Sequence, residues 1–315
     1  MKIIHLYYPL QDPVRDFPED RTQVLAIGDF DGVHNGHRQV IGQAVRIARE
    51  AGIPASIMTF NPHPREVLGQ SKYSSYLTPI YEKMQIFGSL GVDYTYVVTF
   101  DQAFARISPE KFVEHMLVPM RIHTVVIGFD FTFGYKGEGT AETLKKLAKG
   151  RMNVEVVAPF QLDGEKVSST LIRERLYLGD LERMPDYLGR YYSILGMVVE
   201  GDKRGRQIGF PTANLELTAP YVIPRNGVYA VYAHTGGNRY PAVMNIGVRP
   251  TFLPDSAQPS LEVHLLDFRG DLYGQMLKVE FVRYLRREER FESVDQLVAQ
   301  IRRDAEQARH LLSSS

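Results

Sequence analysis

The sequence predicts an α/β domain with a mostly parallel sheet, followed by an antiparallel β-barrel with a terminal helix. Three observations support this fold class. In the first half, apolar runs alternate with segments of helical periodicity, as in βαβ units. In the second half, apolar runs succeed one another without long helices between them, and Gly, Pro or Asn separates them. The last apolar pattern, Val294–Leu312, repeats at helical spacing.

The first half is predicted to contain five strands and four helices. The strands are Val24–Gly28, Ala55–Phe60, Tyr94–Thr99, Thr124–Gly128 and Val154–Ala158. The helices are Arg38–Ala51, Pro79–Leu90, Pro109–Met116 and Glu138–Lys149. Gly52 is a typical helix terminator, so the first helix should end there. In such sheets ligands bind at the carboxyl ends of the strands, where three polar loops, GDFDGVHNGH, FNPHP and GFDFTFG, are expected to converge.

The second half is predicted to form a barrel. Its strands are Tyr192–Val199, Val228–His234, Ala242–Ile246, Leu261–Leu266 and Leu277–Val282. The final helix carries an apolar face that is expected to pack on the barrel, formed by Leu297, Ile301, Ala305, Ala308 and Leu312. Because a helical pattern gives way to strands near Leu188, we expect two domains, 1–187 and 188–315.

Composition excludes several functional classes. The chain has 315 residues, with 37 basic and 37 acidic side chains, a balance that argues against a nucleic-acid or anionic-membrane partner. It has no cysteine, which excludes disulfides, thiolate catalysis and Cys-ligated zinc. The first residues lack the pattern of a signal peptide, and no apolar run reaches the length of a membrane span. We therefore expect a cytoplasmic protein.

The stretch IGDFDGVHNGH, from Ile27 to His37, places two histidines three residues apart after a buried strand. A metal site would need a third ligand, for which His63 or Asp31 is available. A second interpretation is a glycine-rich turn with solvated histidines. We favour a third, a binding site for a triphosphate. The glycines allow close backbone approach, the following helix offers free N–H groups, and each imidazole can donate to a phosphate oxygen, more strongly if protonated.

The motifs together resemble a known family. Gly28–His37 resembles the H-x-G-H motif of nucleotidylyltransferases, and three further segments sharpen that resemblance: TFNPHP (Thr59–Pro64), GFDFTFG (Gly128–Gly134) and VSSTLIR (Val167–Arg173). Four segments of the second half resemble riboflavin kinases: GRQIGFPTANL (Gly205–Leu215), GVYA (Gly227–Ala230), NIGVRPTF (Asn245–Phe252) and LEVHLLDF (Leu261–Phe268). In this order they resemble the bacterial bifunctional riboflavin kinase/FMN adenylyltransferases, also called FAD synthetases.

For the first half, the resemblance implies a Rossmann-like domain in which the FMN phosphate attacks the α-phosphorus of ATP and expels pyrophosphate. His34 and His37 would hold the ATP phosphates and stabilise the leaving group. Other expected ATP contacts are Gly28, Phe30, Ser169, Thr170 and Arg173. Asn61 and Asp130 are expected to contact the flavin. SSTLIR is also an ordinary helix start, and Asp130 could be a structural cap.

For the second half, the resemblance implies a kinase in which Glu262 takes the proton of the ribityl alcohol. Thr212 and Asn214 would bind ATP and provide the hard oxygen ligands that Mg²⁺ accepts. Gly209 would allow close approach to phosphate, and Arg249 would reach a phosphate or close the flavin pocket. The residues alone leave alternatives open: Glu262 could face solvent on an alternating strand, and Asn214 could be a turn residue.

The expected substrates are riboflavin, FMN and ATP, with flavin nucleotides as substrate and product and Mg²⁺ accompanying ATP. Two other functions remain open from the sequence. One is nucleotidylyl transfer to a different phosphorylated acceptor, such as a pantetheine or nicotinate nucleotide, although such an enzyme would not need the GFPTAN module. The other is a non-catalytic flavin or nucleotide sensor. The sequence also leaves open whether the protein forms a homo-oligomer.

Overall fold

A computed structural model describes residues 1–10, 22–70, 73–201, 205, 208–248 and 259–313. The chain divides into two compact units, Met1–Ser169 and Thr170–Ser315. The domain limits expected from sequence, 1–187 and 188–315, follow a different criterion, the change from helical to strand patterns, and they stay a prediction.

The first unit is built on a six-stranded sheet with the order β1-β4-β3-β2-β5-β6, in which all neighbours are parallel. Its strands are β1 (Lys2–Leu6), β2 (Gln23–Ile27), β3 (Ala55–Asn61), β4 (Tyr94–Thr99), β5 (Ile122–Gly128) and β6 (Asn153–Val157). The parallel α/β class and all five predicted strands are confirmed. Strand β1 was not predicted, because its apolar run is short and most of its residues are exposed at the edge of the sheet.

Strand β2 shows that the sheet is buried on both faces. All five of its residues are buried. Leu25 and Ile27 belong to one apolar cluster, whereas Val24 and Ala26 belong to another, since successive side chains of a strand point to opposite faces. The second cluster includes Ile41 of the helix that follows β2. A continuous apolar run is therefore the pattern expected of this central strand.

The helices of the first unit connect the strands. They are α1 (Asn35–Ala51), α2 (Pro64–Val67), α3 (Ile80–Ser89), α4 (Pro109–Phe112) and α5 (Ala141–Ala148). Short helical turns of other types lie at Phe104–Arg106, Val113–Leu117 and Tyr135–Gly137, and a small hairpin joins β7 (Gln161–Leu162) to β8 (Glu165–Lys166). Helix α1 starts three residues before the prediction, because His34 caps it, and it ends at Gly52 in the left-handed region, as predicted.

The second unit is a closed barrel with the strand order β10-β13-β12-β11-β14-β9, all antiparallel. Two helices precede it, α6 (Ser169–Leu178), which starts at the last residue of the first unit, and α7 (Met184–Leu188). The strands are β9 (Tyr192–Val199), β10 (Ala213–Leu217), β11 (Gly227–Thr235), β12 (Asn238–Val248), β13 (Pro259–Leu265) and β14 (Met276–Arg286). The predicted barrel is confirmed, with β10 as an additional short strand.

The terminal helix α8 (Val294–Ser313) packs on the barrel. Ala305, Ala308 and Leu312 form a cluster with barrel residues such as Tyr232, whose hydroxyl donates to the carbonyl of Leu312 at 2.7 Å. The predicted packing is therefore confirmed for this part of the helix. Leu297, on an earlier turn, lines a cavity instead. In the described part of the chain, no helix combines the length and apolar composition needed to cross a membrane.

Candidate active sites

The first candidate site is the loop between β2 and α1. Its backbone is unusual: Phe30, Gly32 and Val33 have positive φ angles of 56°, 86° and 40°. Such angles are rare for a β-branched residue and are typical of backbone held in place for function. The phenyl ring of Phe30 is buried in the core and contacts the ring of His37 edge-on, with centroids 5.3 Å apart. Any contact of Phe30 with a nucleotide would therefore come from its backbone.

His34 and His37 lie together at the start of α1. Nδ1 of His34 accepts the backbone N–H of His37 at 3.3 Å, so this nitrogen carries no proton and His34 presents Nε2–H as a donor. The two rings stack with centroids 3.6 Å apart. Gly36 makes the arrangement possible, because a Cβ at that position would lie 3.1 Å from Cε1 of His34. The predicted proximity of the two imidazoles to a helix N-terminus is confirmed.

The surroundings of His37 favour its neutral form. Burial, the neighbouring His34 and the ammonium of Lys83 together hold the pKa of His37 well below its ordinary value of 6.5. Its Nδ1 is buried without a hydrogen-bond partner among the described residues. The imidazole therefore has a ring nitrogen that a ligand can satisfy, and it donates as a neutral ring before an anion binds.

A group of charged side chains that the sequence analysis did not predict supports this loop. The Lys83 ammonium is almost completely buried and donates to the Asp29 carbonyl at 2.8 Å. Nε2 of His63 lies 3.2 Å from Oδ2 of Asp29. The signal was available in the sequence, because Lys83 precedes Met84 on the buried side of α3, where a lysine is rare.

The two residues considered as a third metal ligand make other contacts. Asp31 accepts the backbone N–H groups of Leu77 and Thr78 at 2.9 and 3.1 Å, and His63 contacts Asp29. Throughout the ranges that the structure describes, no group of three His, Asp or Glu side chains could hold a metal. The structure therefore gives no support to a metal at the two histidines.

The other two loops follow β3 and β5, the neighbours of β2 on either side. Asn61 is exposed at the end of β3. Asp130 is exposed and accepts from Lys166 at 2.6 Å, and the same ammonium lies 4.4 Å from the ring centroid of Phe129. Three polar loops thus follow three adjacent parallel strands at one edge, as predicted. Ser169 donates its hydroxyl proton to the Asp31 carbonyl at 2.8 Å.

The second candidate site is centred on Glu262, on the outside of the barrel. One carboxylate oxygen accepts the hydroxyl of Thr212 at 3.4 Å, and the other accepts the hydroxyl of Ser260 at 3.2 Å. Strand pairing places Asn214 of β10 opposite Glu262 on one side and Asn245 of β12 opposite it on the other. The side chains of such pairs share a face, so Glu262 stands between two amides. Asn214 lies in a strand and is not a turn residue.

Glu262 lines a cavity of about 420 Å³, which is in the range of small-molecule sites. The walls combine apolar and polar groups, including Phe210, Thr212, Val243, Asn245, His264 and Leu297. Glu262 is half-buried on the polar side of an alternating strand and also lines this cavity, so its role stays a prediction. Gly209 precedes the cavity residue Phe210 and has a φ of 86°, and no atom of the described residues lies within 4 Å of a Cβ placed there. Arg249 lies outside the described residues.

Helix α8 is fixed against this cavity by an ion pair. Arg286, at the end of β14, donates from Nε and Nη2 to the carboxylate of Asp304 in three hydrogen bonds of 2.8 to 3.1 Å. Gln300 donates to the same carboxylate at 2.8 Å. Both Arg286 and Asp304 line the cavity together with Ile301. The helix therefore forms one wall, a role that its apolar periodicity alone did not predict.

The α/β unit and the barrel each carry a candidate site, and two family models, one for each half, define the chain as a bifunctional transferase. A family model described as FAD synthetase matches residues 16–171, and one described as riboflavin kinase matches residues 188–312. The chain belongs to the family of bifunctional riboflavin kinase/FMN adenylyltransferases, which confirms the resemblance of the sequence motifs.

Several relatives are similar over nearly their whole length. The bifunctional riboflavin kinase/FMN adenylyltransferase of Bacillus subtilis is 41% identical over 310 residues, covering 98% of this chain and 97% of the relative. The Escherichia coli K12 protein of the same name is 39% identical, with 91% of each chain covered. A crystal structure described as a macrolide-efflux protein from Streptococcus pneumoniae has a TM-score of 0.88 and 33% identity, covering 97% of this chain and 99% of that one.

Proposed function

We propose that this chain phosphorylates riboflavin to FMN in its barrel half and adenylylates FMN to FAD in its α/β half, with ATP as the donor in both reactions. One observation carries the proposal: a single chain holds an imidazole pair at a helix N-terminus and, in a separate unit, a carboxylate in a cavity of ligand size. Relatives that match both halves are named for these two activities.

The adenylyl transfer needs positioning and charge neutralisation more than it needs a base. The nucleophile is a phosphate monoester oxygen, whose second pKa is about 6, so it is already ionised near neutral pH. We propose that His34 and His37 donate to the phosphates of ATP and that the first N–H groups of α1 face the same anion. An arriving polyphosphate favours the protonated form of His37, which strengthens the bond as charge develops on pyrophosphate.

The kinase reaction has a different requirement, because its nucleophile is an alcohol. We propose that Glu262 accepts the proton of the ribityl primary hydroxyl while that oxygen attacks the γ-phosphorus of ATP and ADP leaves. Thr212 and Asn214 flank Glu262, and their oxygens suit Mg²⁺. When bound, Mg²⁺ neutralises phosphate charge. Thr212 and Asn214 would hold it, and they would also bind ATP.

Several expected contacts stay proposals. Gly28, Ser169, Thr170 and Arg173 would bind the ATP of the adenylylation site, and Gly209 that of the kinase site. Asn61, Asp130 and Arg249 would contact flavin. The proposal also includes a cytoplasmic location and no nucleic-acid or membrane partner, and it leaves a homo-oligomer possible.

The deciding experiment incubates purified protein with riboflavin, ATP and Mg²⁺ and separates the flavins by chromatography. We expect FMN and then FAD, with pyrophosphate released in the second step. Flavin binding without any product would favour a sensor and overturn the proposal. FMN formation without FAD, together with adenylylation of a pantetheine or nicotinate nucleotide, would assign the α/β half to a different acceptor.

A further inference from the structure

We infer that Asn245 determines specificity for the ribityl chain: its amide oxygen accepts a hydrogen bond from a secondary hydroxyl, beside the hydroxyl that Glu262 deprotonates. The inference rests on the proposed riboflavin kinase activity. Asn245 is the first residue of NIGVRPTF, a segment that resembles riboflavin kinases. That resemblance by itself gives Asn245 no role.

Asn245 lies next to Glu262, on the side where the substrate would bind. Glu262 has an asparagine directly across the sheet on each side, Asn214 on β10 and Asn245 on β12. Side chains in such pairs have Cβ atoms about 4.5–5.5 Å apart. Of the two amides, Asn214 belongs to the GFPTAN segment proposed for ATP. Asn245 lines the cavity together with Glu262 and Leu297 of α8, so it lies on the side of the base that an organic acceptor would occupy.

The side-chain amide of Asn245 has a fixed orientation. Nδ2 of Asn245 donates to Oε1 of Glu288 at 3.1 Å. An ionised carboxylate only accepts hydrogen bonds, so it fixes which end of the amide faces Glu288. The amide oxygen of Asn245 must then point away from Glu288. This oxygen can accept the O–H of a substrate hydroxyl.

The backbone is adapted to this contact. Gly247 is two residues from Asn245 on the same strand and therefore shares its face. A Cβ on Gly247 would lie 2.5 Å from Oε1 of Glu288 and 3.4 Å from Nδ2 of Asn245. A glycine at this position leaves room for the carboxylate to reach the amide, so substitution by alanine should displace Glu288.

The chemistry of the substrate agrees with an amide at this position. If Glu262 holds the terminal hydroxyl at about 2.6–3.2 Å, a second acceptor one residue pair away is within reach of the next hydroxyls along the chain. A neutral amide accepts from these hydroxyls without competing for the proton. An aspartate in its place would add a negative charge beside Glu262 and Glu288, which repels both.

The test compares riboflavin with lumiflavin, which has the same ring system but a methyl group in place of the ribityl chain. The full-length chain is assayed for FMN formation, and lumiflavin is titrated as a competitive inhibitor. For Asn245→Ala, we expect the KM for riboflavin to rise about 3- to 10-fold, the worth of one hydrogen bond. The Ki of lumiflavin and the KM for ATP should stay at the wild-type values.

Two further variants and a control sharpen the result. Glu288→Gln and Gly247→Ala should raise the same KM by a smaller factor, because each loosens the orientation of Asn245 without removing it. Asn238→Ala changes an exposed asparagine at the start of the same strand and should change nothing.

Two results would overturn the inference while leaving the proposed kinase intact. One is an unchanged KM for riboflavin in Asn245→Ala. The other is an equal loss of riboflavin and lumiflavin binding, which would mean general damage to the cavity. A wild-type chain that forms no FMN would instead refute the proposed function, and the inference with it.

Discussion

Replacing His37 by alanine tests the proposed phosphate site most directly. The substitution removes the imidazole but keeps the backbone N–H that donates to Nδ1 of His34 at 3.3 Å. Helix α1 therefore retains its N-cap, and its buried residues are unchanged. We expect the variant to fold, so that a loss of activity reports on the side chain itself.

The size of the effect follows from the contact that is lost. A hydrogen bond to a charged group contributes about 1.5–3 kcal/mol. If His37 donates one such bond to the ATP phosphates in the transition state, kcat/KM for FAD formation should fall roughly 10- to 150-fold. His37→Gln retains an N–H donor without the imidazole and should lose less. Nδ1 of His37 is buried and has no hydrogen-bond partner in the part of the chain that the structure describes, which is the structural reason to expect a ligand contact here.

The assay supplies FMN and ATP and follows FAD and pyrophosphate, while a parallel assay follows FMN formation from riboflavin. Only FAD formation should fall, because His37 lies in the first unit and the proposed kinase residues lie in the second. His123→Ala is the matched control, since this histidine is exposed on β5. Undiminished FAD formation in His37→Ala would refute the role assigned to the imidazole pair.

Three further predictions concern the kinase base, the helix that closes the cavity and the titration of His37. Glu262→Gln should lower riboflavin phosphorylation by a factor of about 10² or more while sparing FAD formation from supplied FMN; full kinase activity would remove Glu262 from this role. Asp304→Ala should lower the free energy of unfolding by about 3 kcal/mol, because it leaves the largely buried Arg286 guanidinium without its carboxylate. Arg309→Ala removes an exposed ion pair with Asp267 that is worth at most about 1 kcal/mol, and equal losses of stability in the two variants would show that burial does not set the cost. Because the pKa of His37 is depressed in the folded state, the unfolded chain binds more protons as pH falls below 6.5, and stability is lost there. The Tm of His37→Ala should therefore fall less than that of the wild type between about pH 7 and 5; parallel profiles would be inconsistent with a depressed pKa.

Much of the architecture could be predicted from local patterns. The strand Tyr94–Thr99 was predicted to the residue, and the end of α1 at Gly52 was predicted from its type. Errors arose where the local signal was weak. Strand β10 is short and begins inside the GFPTAN segment, whose composition is typical of a turn. The helix predicted at Pro109–Met116 is α-helical only to Phe112 and continues as a π-helical turn.

The residues of the candidate sites were also only partly predictable from the sequence. The sequence indicated His34, His37 and Glu262, because motifs place unusual residue types at fixed spacing. It did not indicate that Lys83 supports the loop through Asp29, although a lysine on a buried helical face was a usable signal. Nor did it predict that Arg286 and Asp304 fasten α8 to the cavity wall. Residues distant in sequence meet in these pairs, and no local pattern specifies such a meeting.

By itself the sequence determined the order of the elements, the two-part architecture and the kinds of chemistry in each loop, because periodicity, turn residues and short motifs are properties of neighbouring residues. Only the tertiary structure decided which side chains share a site. Strand register sets Glu262 between Asn214 and Asn245, and burial beside His34 and Lys83 lowers the pKa of His37. Register and burial depend on segments far apart in the chain, so they arise only when those segments pack together.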